Sequence, residues 1–261
     1  MTNTLTNMPG IQLTRNQLEL INRRTIRYPL SIAEKDYFLA LAVQRISTSP
    51  LRDLLIFKGG TALNHCYLSQ YRFSEDLDFT SLDPQITSEE IVAGMEEGGL
   101  FKVNKIFVSE FTIKIERLQY QGVLGQPGNI KLEVDHHQNV VLPGEFKTYH
   151  NVWGVETESL VMDKTEICAE KIRAISQRAR YRDFYDLYFL FRELKVNFDE
   201  AISLLSQKEI RSPITYNRLI ENWAVAKEEQ ERDLGRIYCS QMISNQEIET
   251  LLQSIVFEDI A

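Results

Sequence analysis

Two glycines follow a lysine in the segment FKGGT, residues 57–61. Glycine lets the backbone approach a ligand closely, and the first turn of a helix presents N–H donors and a positive dipole end to phosphate. A strand, the pair Gly59 and Gly60, and then a helix would therefore form a phosphate-binding turn, in which Thr61 caps the helix or binds phosphate. A tight turn without a ligand is the alternative, and a Gly-Gly pair taken alone favours it.

Two aspartates stand one residue apart in the segment DLDF, residues 76–79. Side chains alternate along a strand, so Asp76 and Asp78 would share a face while Leu77 and Phe79 point into a core. Like charges on one half-buried face repel each other unless a cation lies between them. Mg²⁺ binds carboxylate and phosphate oxygens, and two such ions can activate the attacking oxygen and stabilise the leaving group. The pair predicts a magnesium site, with a solvated strand face as the alternative.

A further set of carboxylates lies in NIKLEVD, residues 129–135. Lys131, Glu133 and Asp135 alternate with apolar residues, so they would lie on one face of a strand. Taken alone, this alternation is explained by a polar outer face of the strand.

The elements that must position these residues follow from hydrophobic periodicity. Helical spacing predicts two N-terminal helices, over 12–27 and 31–47, and the second opens with the Ser-x-x-Glu pattern of a capping box. The run LLIF predicts a buried strand that ends at Lys58, and a helix is expected over 61–71. Further strands are expected within 102–120 and 129–137, on either side of a hairpin loop.

From about residue 158 the pattern becomes helical up to the end of the chain. The sequence therefore predicts an α+β protein with a mixed β-sheet flanked by helices. Residues 1–157 would hold the N-terminal helices and the sheet, and residues 158–261 a helical C-terminal region.

Length, charge and composition limit the size of the fold and the kinds of partner that the protein can have. The chain has 261 residues, enough for one large domain or two small ones, and its net charge of −8 argues mildly against a dedicated nucleic-acid binder. The three cysteines, Cys66, Cys168 and Cys239, are scattered and form no zinc pattern. Because no apolar run is long enough to span a bilayer and the first residues lack a secretory pattern, we expect a cytoplasmic protein.

Together, the glycine and aspartate pairs are far more specific than either alone. Gly-Gly-Thr at the end of a strand, then a helix, then Asp-x-Asp on the next strand resembles the DNA-polymerase-β-like nucleotidyltransferases. Within that superfamily, FKGGTALNHCYLSQYRFSEDLDFT, residues 57–80, closely resembles the AbiEii/AbiGii toxin nucleotidyltransferases. Their KGGTxL stretch is also followed by Arg-Phe-Ser-x-Asp-Leu-Asp-Phe. The resemblance implies that the mixed sheet is of the nucleotidyltransferase type.

The resemblance also implies roles for individual residues. It implies metal binding by Asp76 and Asp78, and the family's third-carboxylate strand, similar to IKLEV, points to Glu133 before Asp135. Arg72 has a second interpretation, in which it braces the aspartates instead of contacting substrate. The residues implied to bind the nucleotide are Lys58, Gly59, Gly60, Thr61, Arg72 and Ser74.

A third match covers residues 166–190, where an Ala-Glu-Lys helix precedes an Arg-Asp-x-x-Asp-Leu segment. The match implies catalytic roles for Asp76 and Asp78 together with Lys171, Asp183 and Asp186. The Lys171 ammonium could neutralise charge on the leaving group, and either Asp183 or Asp186 could orient it or a substrate. The alternative is an ion-pair network along a helix face.

The same stretch carries the densest basic run of the chain. Beside a nucleotidyl-transfer site it becomes a candidate track for RNA phosphates, and a solvated helix face is the alternative. A second, weaker track lies over residues 15–27. The basic run consists of Lys171, Arg173, Arg178, Arg180 and Arg182.

The resemblance implies a toxin of a toxin–antitoxin or abortive-infection system. Such a protein would transfer a nucleoside monophosphate from an NTP to an acceptor, with Mg²⁺ as cofactor and tRNA as the leading acceptor. A cognate antitoxin encoded nearby, with or without direct contact, is the expected partner. One alternative is a nucleotidyltransferase that modifies a small molecule or a protein. The other is a nucleotide-binding regulator without turnover, against which the intact pair Asp76 and Asp78 argues.

Overall fold

The computed structural model describes residues 12–208 and 212–260. The prediction about a secretory signal concerns residues 1–17, of which residues 1–11 lie outside the described residues. The same holds for residues 209–211 and 261 of the predicted helical tail.

A mixed sheet stands at the centre of the described residues. Its seven strands follow the order β3-β4-β5-β2-β1-β7-β6. Strand β1 pairs antiparallel with β2 and parallel with β7, and β2 pairs parallel with β5. The strands are β1 (Leu55–Lys58), β2 (Asp76–Ser81), β3 (Phe101–Val108), β4 (Thr112–Gln121), β5 (Pro127–Asp135), β6 (Glu145–Thr148) and β7 (Glu158–Val161). The strands that carry the candidate carboxylates, β2 and β5, are therefore neighbours.

Ten α-helices accompany the sheet in the described ranges. Helix α3 continues directly into a π-helical turn, Leu63–Tyr67. No helix among the described residues is both long enough and apolar enough to cross a bilayer. The helices are α1 (Arg15–Arg24), α2 (Leu30–Ser47), α3 (Gly59–Ala62), α4 (Ser88–Glu96), α5 (Lys164–Gln177), α6 (Tyr181–Arg192), α7 (Phe198–Leu205), α8 (Tyr216–Glu228), α9 (Gln230–Ile237) and α10 (Asn245–Ser254).

Two apolar clusters form the core. The first joins Phe57, Leu77 and Leu132 of the sheet to α1, α2 and α4. The second joins Ile56 of β1 to the C-terminal helices. Neighbouring residues of β1 thus enter different cores, because side chains alternate faces along a strand. Around β2 and β5 the face turned toward the C-terminal helices is polar.

Helix α2 begins differently from its prediction. Pro29 occupies the N-cap position with φ −50°, and no side chain caps the helix. The predicted capping box of Ser31 and Glu34 is therefore wrong. Glu34 is buried instead and accepts a 2.7 Å hydrogen bond from the backbone N–H of Leu124. Proline starts this helix because its ring fixes φ near the helical value.

The other predicted elements agree with the structure in type, with shifted ends. The strand pair predicted over 102–120 is the hairpin β3–β4, and the predicted helix over 61–71 begins at Gly59 and ends at Tyr67. Helix α4 and strands β6 and β7 were outside the predictions. Because β7 belongs to the sheet, the sheet continues past residue 157 and the helices begin with α5. The division after residue 157 stays a prediction.

Candidate active site

A cleft of about 480 Å³ lies between the polar face of the sheet and helix α5. Its volume falls in the range of sites that enclose a small molecule such as a nucleotide. The cleft brings together most residues proposed from the sequence, whereas Thr61 and Asp186 do not line it. The proposed residues that line it are Lys58, Gly59, Gly60, Arg72, Ser74, Asp76, Asp78, Glu133, Asp135, Lys171 and Asp183.

The glycine turn packs directly against the aspartate strand. Gly59 has φ +77°, in the left-handed region that favours glycine, and a Cβ there would lie 2.6 Å from Oδ2 of Asp78. A Cβ on Gly60 would collide with Nη2 of Arg72. Both positions therefore require glycine, because the backbone of the turn lies too close to Asp78 and Arg72 for any side chain. Thr61 is fully buried and donates a 2.6 Å hydrogen bond from Oγ1 to the carbonyl of Asp76, so it supports β2.

The predicted alternation along β2 is confirmed. Leu77 and Phe79 are at most 1% exposed, whereas Asp76 and Asp78 are half-buried and face the cleft. Burial, together with the charges of Asp76 and Glu133, raises the pKa of Asp78 to about 6, although Lys58 and Lys171 lower it. Holding an ionised carboxylate beside like charges is unfavourable in free energy, and a bound cation would offset this repulsion.

The register of β5 separates the two candidates for the third carboxylate. Glu133 lies opposite Asp78, whereas Asp135 lies opposite Thr80. Oδ1 of Asp135 also accepts hydrogen bonds from the backbone N–H groups of His137 (3.0 Å) and Gln138 (2.9 Å), and so closes the turn after β5. The geometry therefore favours Glu133.

A lysine that the sequence analysis missed pairs with this carboxylate. Nζ of Lys114 on β4 lies 2.6 Å from Oε2 of Glu133. No group of three or more acidic, histidine or cysteine side chains among the described residues is arranged to hold a metal ion. Asp76, Asp78 and Glu133 nevertheless supply the oxygen donors that Mg²⁺ prefers, and the half-buried side chain of Lys114 borders solvent. Only the register of β4 on β5 reveals Lys114, so periodicity alone could not have found it.

Helices α5 and α6 lie opposite the sheet across the cleft, and they hold the ammonium group of Lys171 in place. Nζ of Lys171 lies 3.0 Å from Oδ1 of Asp183 and 2.6 Å from Oδ2 of Asp186. Nε of Arg178 lies 2.8 Å from Oδ2 of Asp183. Burial alone would raise the pKa of Asp183, but the charges of Lys171 and Arg178 lower it below its usual range. Both aspartates therefore stay ionised and fix the Lys171 ammonium in place.

Asp186 joins this network to the segment before β2. Arg72 is 2% exposed and donates to both carboxylate oxygens, from Nε at 2.6 Å and from Nη2 at 2.8 Å. Burial would raise the pKa of Asp186, but the charges of Arg72 and Lys171 lower it to about 2. The guanidinium of Arg72 thus pairs with Asp186 and not with the aspartates of β2. Asp186 has the geometry of a positioning residue.

Glu170 is a second residue that the sequence analysis missed. Its Oε2 lies 3.3 Å from Nζ of Lys58, and its Oε1 lies 3.0 Å from Nζ of Lys208. Burial would raise its pKa, but the two lysines lower it to about 2. Helical periodicity could have indicated this position, because Glu170 shares the cleft-facing side of α5 with Ile167 and Ala174.

The predicted basic run lies at the cleft. Arg173, Arg178, Arg180 and Arg182 all line it, together with Lys171. The weaker track of residues 15–27 on α1 is not among the lining residues. The local charge at the cleft therefore differs from the acidic net charge of the chain.

We predict that Gly59→Ala lowers the free energy of unfolding by about 2 kcal/mol or more, because left-handed strain adds to a collision with Asp78. Gly99→Ala is the matched control, since Gly99 has φ +72° and a Cβ there would meet no atom within 4 Å. This control should lose only the backbone strain, about 1 kcal/mol. Guanidinium titration measures both values. Equal losses would show that the approach to Asp78 is not tight.

We predict that Asp78→Asn stabilises the metal-free protein by about 1–2 kcal/mol at pH 7.5, since the pKa of Asp78 is raised to about 6. A raised carboxyl pKa destabilises the fold above that pH, so the gain should shrink as the pH falls from 6 toward 4. Urea titrations in EDTA at several pH values measure it. The exposed Asp53→Asn serves as control, and a gain independent of pH would contradict the assignment.

Comparison with known proteins agrees with this geometry. Residues 41–254 match the family model described as nucleotidyl transferase AbiEii toxin, type IV toxin–antitoxin system. None of the curated proteins matches the sequence.

Two solved structures share the fold. MenT4, a nucleotidyltransferase toxin from Mycobacterium tuberculosis H37Rv, is similar with a TM-score of 0.62 and 20% identity, over 94% of this chain and 100% of that chain. A protein from H. pylori assigned as a nucleotidyltransferase is similar with a TM-score of 0.54 and 18% identity, over 87% of this chain and 96% of that chain. The α+β fold predicted from the sequence is thereby confirmed as one that nucleotidyltransferases adopt. Because the family model spans most of the chain, the protein belongs to the AbiEii family of toxin–antitoxin nucleotidyltransferases.

Proposed function

We propose that this toxin transfers a nucleoside monophosphate from an NTP to an RNA acceptor, with tRNA as the first candidate, in a Mg²⁺-dependent reaction. The observation that carries the proposal is the pair Asp76 and Asp78, which shares one cleft with the glycine turn and with two lysine ammonium groups. Membership of the family implies the NTP substrate and a cognate antitoxin. We place the reaction in the cytoplasm, where NTPs and tRNA are available.

Asp76, Asp78 and Glu133 are the residues proposed to hold Mg²⁺. Nucleotidyltransferases of this kind generally use a divalent metal. The raised pKa of Asp78 supports the assignment, because burial and two neighbouring carboxylates make its ionised form unfavourable without a cation. When bound, Mg²⁺ would neutralise phosphate oxygens and favour ionisation of the attacking hydroxyl.

The triphosphate is proposed to lie between the glycine turn and α5. Backbone N–H groups at Gly59 and Gly60 would donate to phosphate oxygens. Lys58 and Lys171, on opposite walls, would neutralise charge that develops on the leaving pyrophosphate. Both ammonium groups are already oriented by carboxylates, Lys58 by Glu170 and Lys171 by Asp183 and Asp186, so binding requires little reorganisation.

The transfer itself is a single displacement at phosphorus. The acceptor hydroxyl oxygen bonds to the α-phosphorus of the NTP while the bond from that phosphorus to the α,β-bridging oxygen breaks. The hydroxyl proton passes to solvent, and pyrophosphate leaves. The residues of this chain contribute position and charge, which is what phosphoryl-type transfer mainly requires.

An RNA acceptor is favoured by the charges at the edge of the cleft. Arg173, Arg180 and Arg182 extend the cationic wall beyond the lysines proposed for the triphosphate. A nucleic acid needs such cationic surface for its phosphates, whereas a small hydroxyl compound does not.

Incubation of the protein with Mg²⁺, each α-labelled NTP in turn and total tRNA tests the proposal. We predict that label enters tRNA with one or few NTPs, and that Asp78→Ala lowers the rate at least about a hundredfold, since a metal ligand is lost. Label in the protein, or no label with folded protein and Mg²⁺ present, would contradict the RNA acceptor. Asp53→Asn, away from the cleft, should retain the wild-type rate.

A further inference from the structure

A second cavity, of about 520 Å³, adjoins the cleft. The two cavities share Ser74, Asp76, Lys131, Arg180 and Arg182, so they meet at the aspartate strand. Beyond this junction the first cavity continues to the glycine turn and Lys171. The second continues along helix α9, and we name it the α9 groove.

Backbone hydrogen bonds fix α9 beside the aspartate strand. The N–H of Phe73 donates to the carbonyl of Ile237 at 2.6 Å, and the N–H of Ser240 donates to the carbonyl of Tyr71 at 2.8 Å. The hydroxyl of Ser240 donates to the same carbonyl at 2.9 Å. The end of α9 is thus tied to the segment that enters β2, and the α9 groove keeps its place relative to Asp76.

The α9 groove carries more free positive than free negative charge. Its cations include Lys131, Arg180, Arg182 and two arginines of α9, Arg232 and Arg236. Arg232 is exposed and pairs with Glu229 at the start of α9. Among the described residues, no carboxylate lies within ion-pair distance of Arg180, Arg182 or Arg236. Surfaces of this kind bind polyanions.

The groove's carboxylates outside the junction are already engaged. Glu75 pairs with Lys35 at 2.6 Å, and Asp233 accepts a hydrogen bond from the N–H of Tyr181 at 3.1 Å. Arg180 lies close to other cations: partial burial, together with repulsion from Arg178 and Arg182, lowers its pKa. A phosphate group beside Arg180 would remove this repulsion.

The far end of the groove is aromatic. Tyr238 follows α9 with φ +43°, an uncommon left-handed conformation for a bulky residue, and its ring centroid lies 5.6 Å from that of Tyr28 and 6.3 Å from that of Phe73. Its side chain is half-buried and lines the groove. Arginines followed by an accessible aromatic ring are the combination with which proteins hold single-stranded nucleic acid, through phosphate contacts and base stacking.

We propose that the α9 groove binds a single-stranded end of the polynucleotide acceptor and leads its terminal hydroxyl to the junction at Asp76. The inference rests on the proposed function, since it assigns the acceptor's path in that reaction. The nucleotide and the acceptor then enter through different cavities and meet at the metal-binding aspartates. Arg232 and Arg236 belong to the acceptor path alone, because neither lines the nucleotide cleft.

The test compares two charge-reversal variants of the full chain. Arg232→Glu/Arg236→Glu changes the groove, and Lys102→Glu/Arg117→Glu makes the same charge change at exposed positions on β3 and β4. Fluorescence anisotropy with a short, unstructured, fluorescein-labelled RNA measures RNA affinity at several salt concentrations. A fluorescent NTP analogue measures nucleotide affinity, and the labelling assay gives KM for tRNA and for NTP separately.

The groove variant should lose about tenfold or more in RNA affinity, and the slope of log affinity against log salt should fall by about two. KM for tRNA should rise while nucleotide affinity stays at the wild-type value. Equal RNA affinity in the two variants, or no RNA binding by the wild type, would overturn the inference. If the wild type instead neither binds NTP nor shows turnover, the proposed function is overturned.

Gly235→Glu provides an independent variant in case the arginine variant does not fold. Gly235 lines the groove, and a Cβ there would meet no atom within 4 Å. The new Cβ would therefore fit without displacing neighbours, and the carboxylate would add negative charge to the groove. RNA affinity should fall and nucleotide affinity should not, whereas unchanged RNA affinity would overturn the inference.

Discussion

The buried carboxylate of Asp186 is the constraint on which the rest of the site depends. It accepts two hydrogen bonds from the guanidinium of Arg72 and lies 2.6 Å from the ammonium of Lys171. One side chain thus joins the segment before β2 to helices α5 and α6. A buried charge left without its partner costs about 3–5 kcal/mol, so these three groups hold one another in place. Because Gly60 packs against Arg72, the glycine turn depends on the same contact.

The consequence is a cleft in which the candidate metal-binding carboxylates lie on the sheet and a row of arginines lies on the facing wall. The sheet contributes Asp76, Asp78 and Glu133, while α5 and its flanking segment contribute Lys171 and a row of arginines. A metal ion complements the first wall and a triphosphate the second, so a metal–nucleotide complex complements both. Beyond burial, the raised pKa of Asp78 and the lowered pKa of Asp186 have different neighbours as their cause, since Asp78 lies beside the carboxylates of Asp76 and Glu133 whereas Asp186 lies between the cations of Arg72 and Lys171.

The sequence predicted those parts of the site that a single strand or a single turn forms. The alternation of Asp76 and Asp78 with two core residues predicted their common face, and the glycine pair marked a turn where the backbone approaches closely. The choice of Glu133 over Asp135 needed either the family resemblance or the register of β5, which single-strand periodicity does not contain. Lys114 and Glu170 were missed because their partners lie on other elements. Strands β6 and β7 were missed because each has only four residues and neither contains a continuous apolar run such as LLIF, which marked the equally short β1.

Asp78 and a divalent metal together are proposed to hold the nucleotide in the cleft. Isothermal titration calorimetry with a nonhydrolysable NTP analogue, with and without Mg²⁺, can compare the wild type with Asp78→Asn. We predict binding that requires Mg²⁺ and that weakens at least about tenfold in the variant, since a coordinating charge is lost. Equal affinity in the variant, or undiminished binding in EDTA, would contradict it.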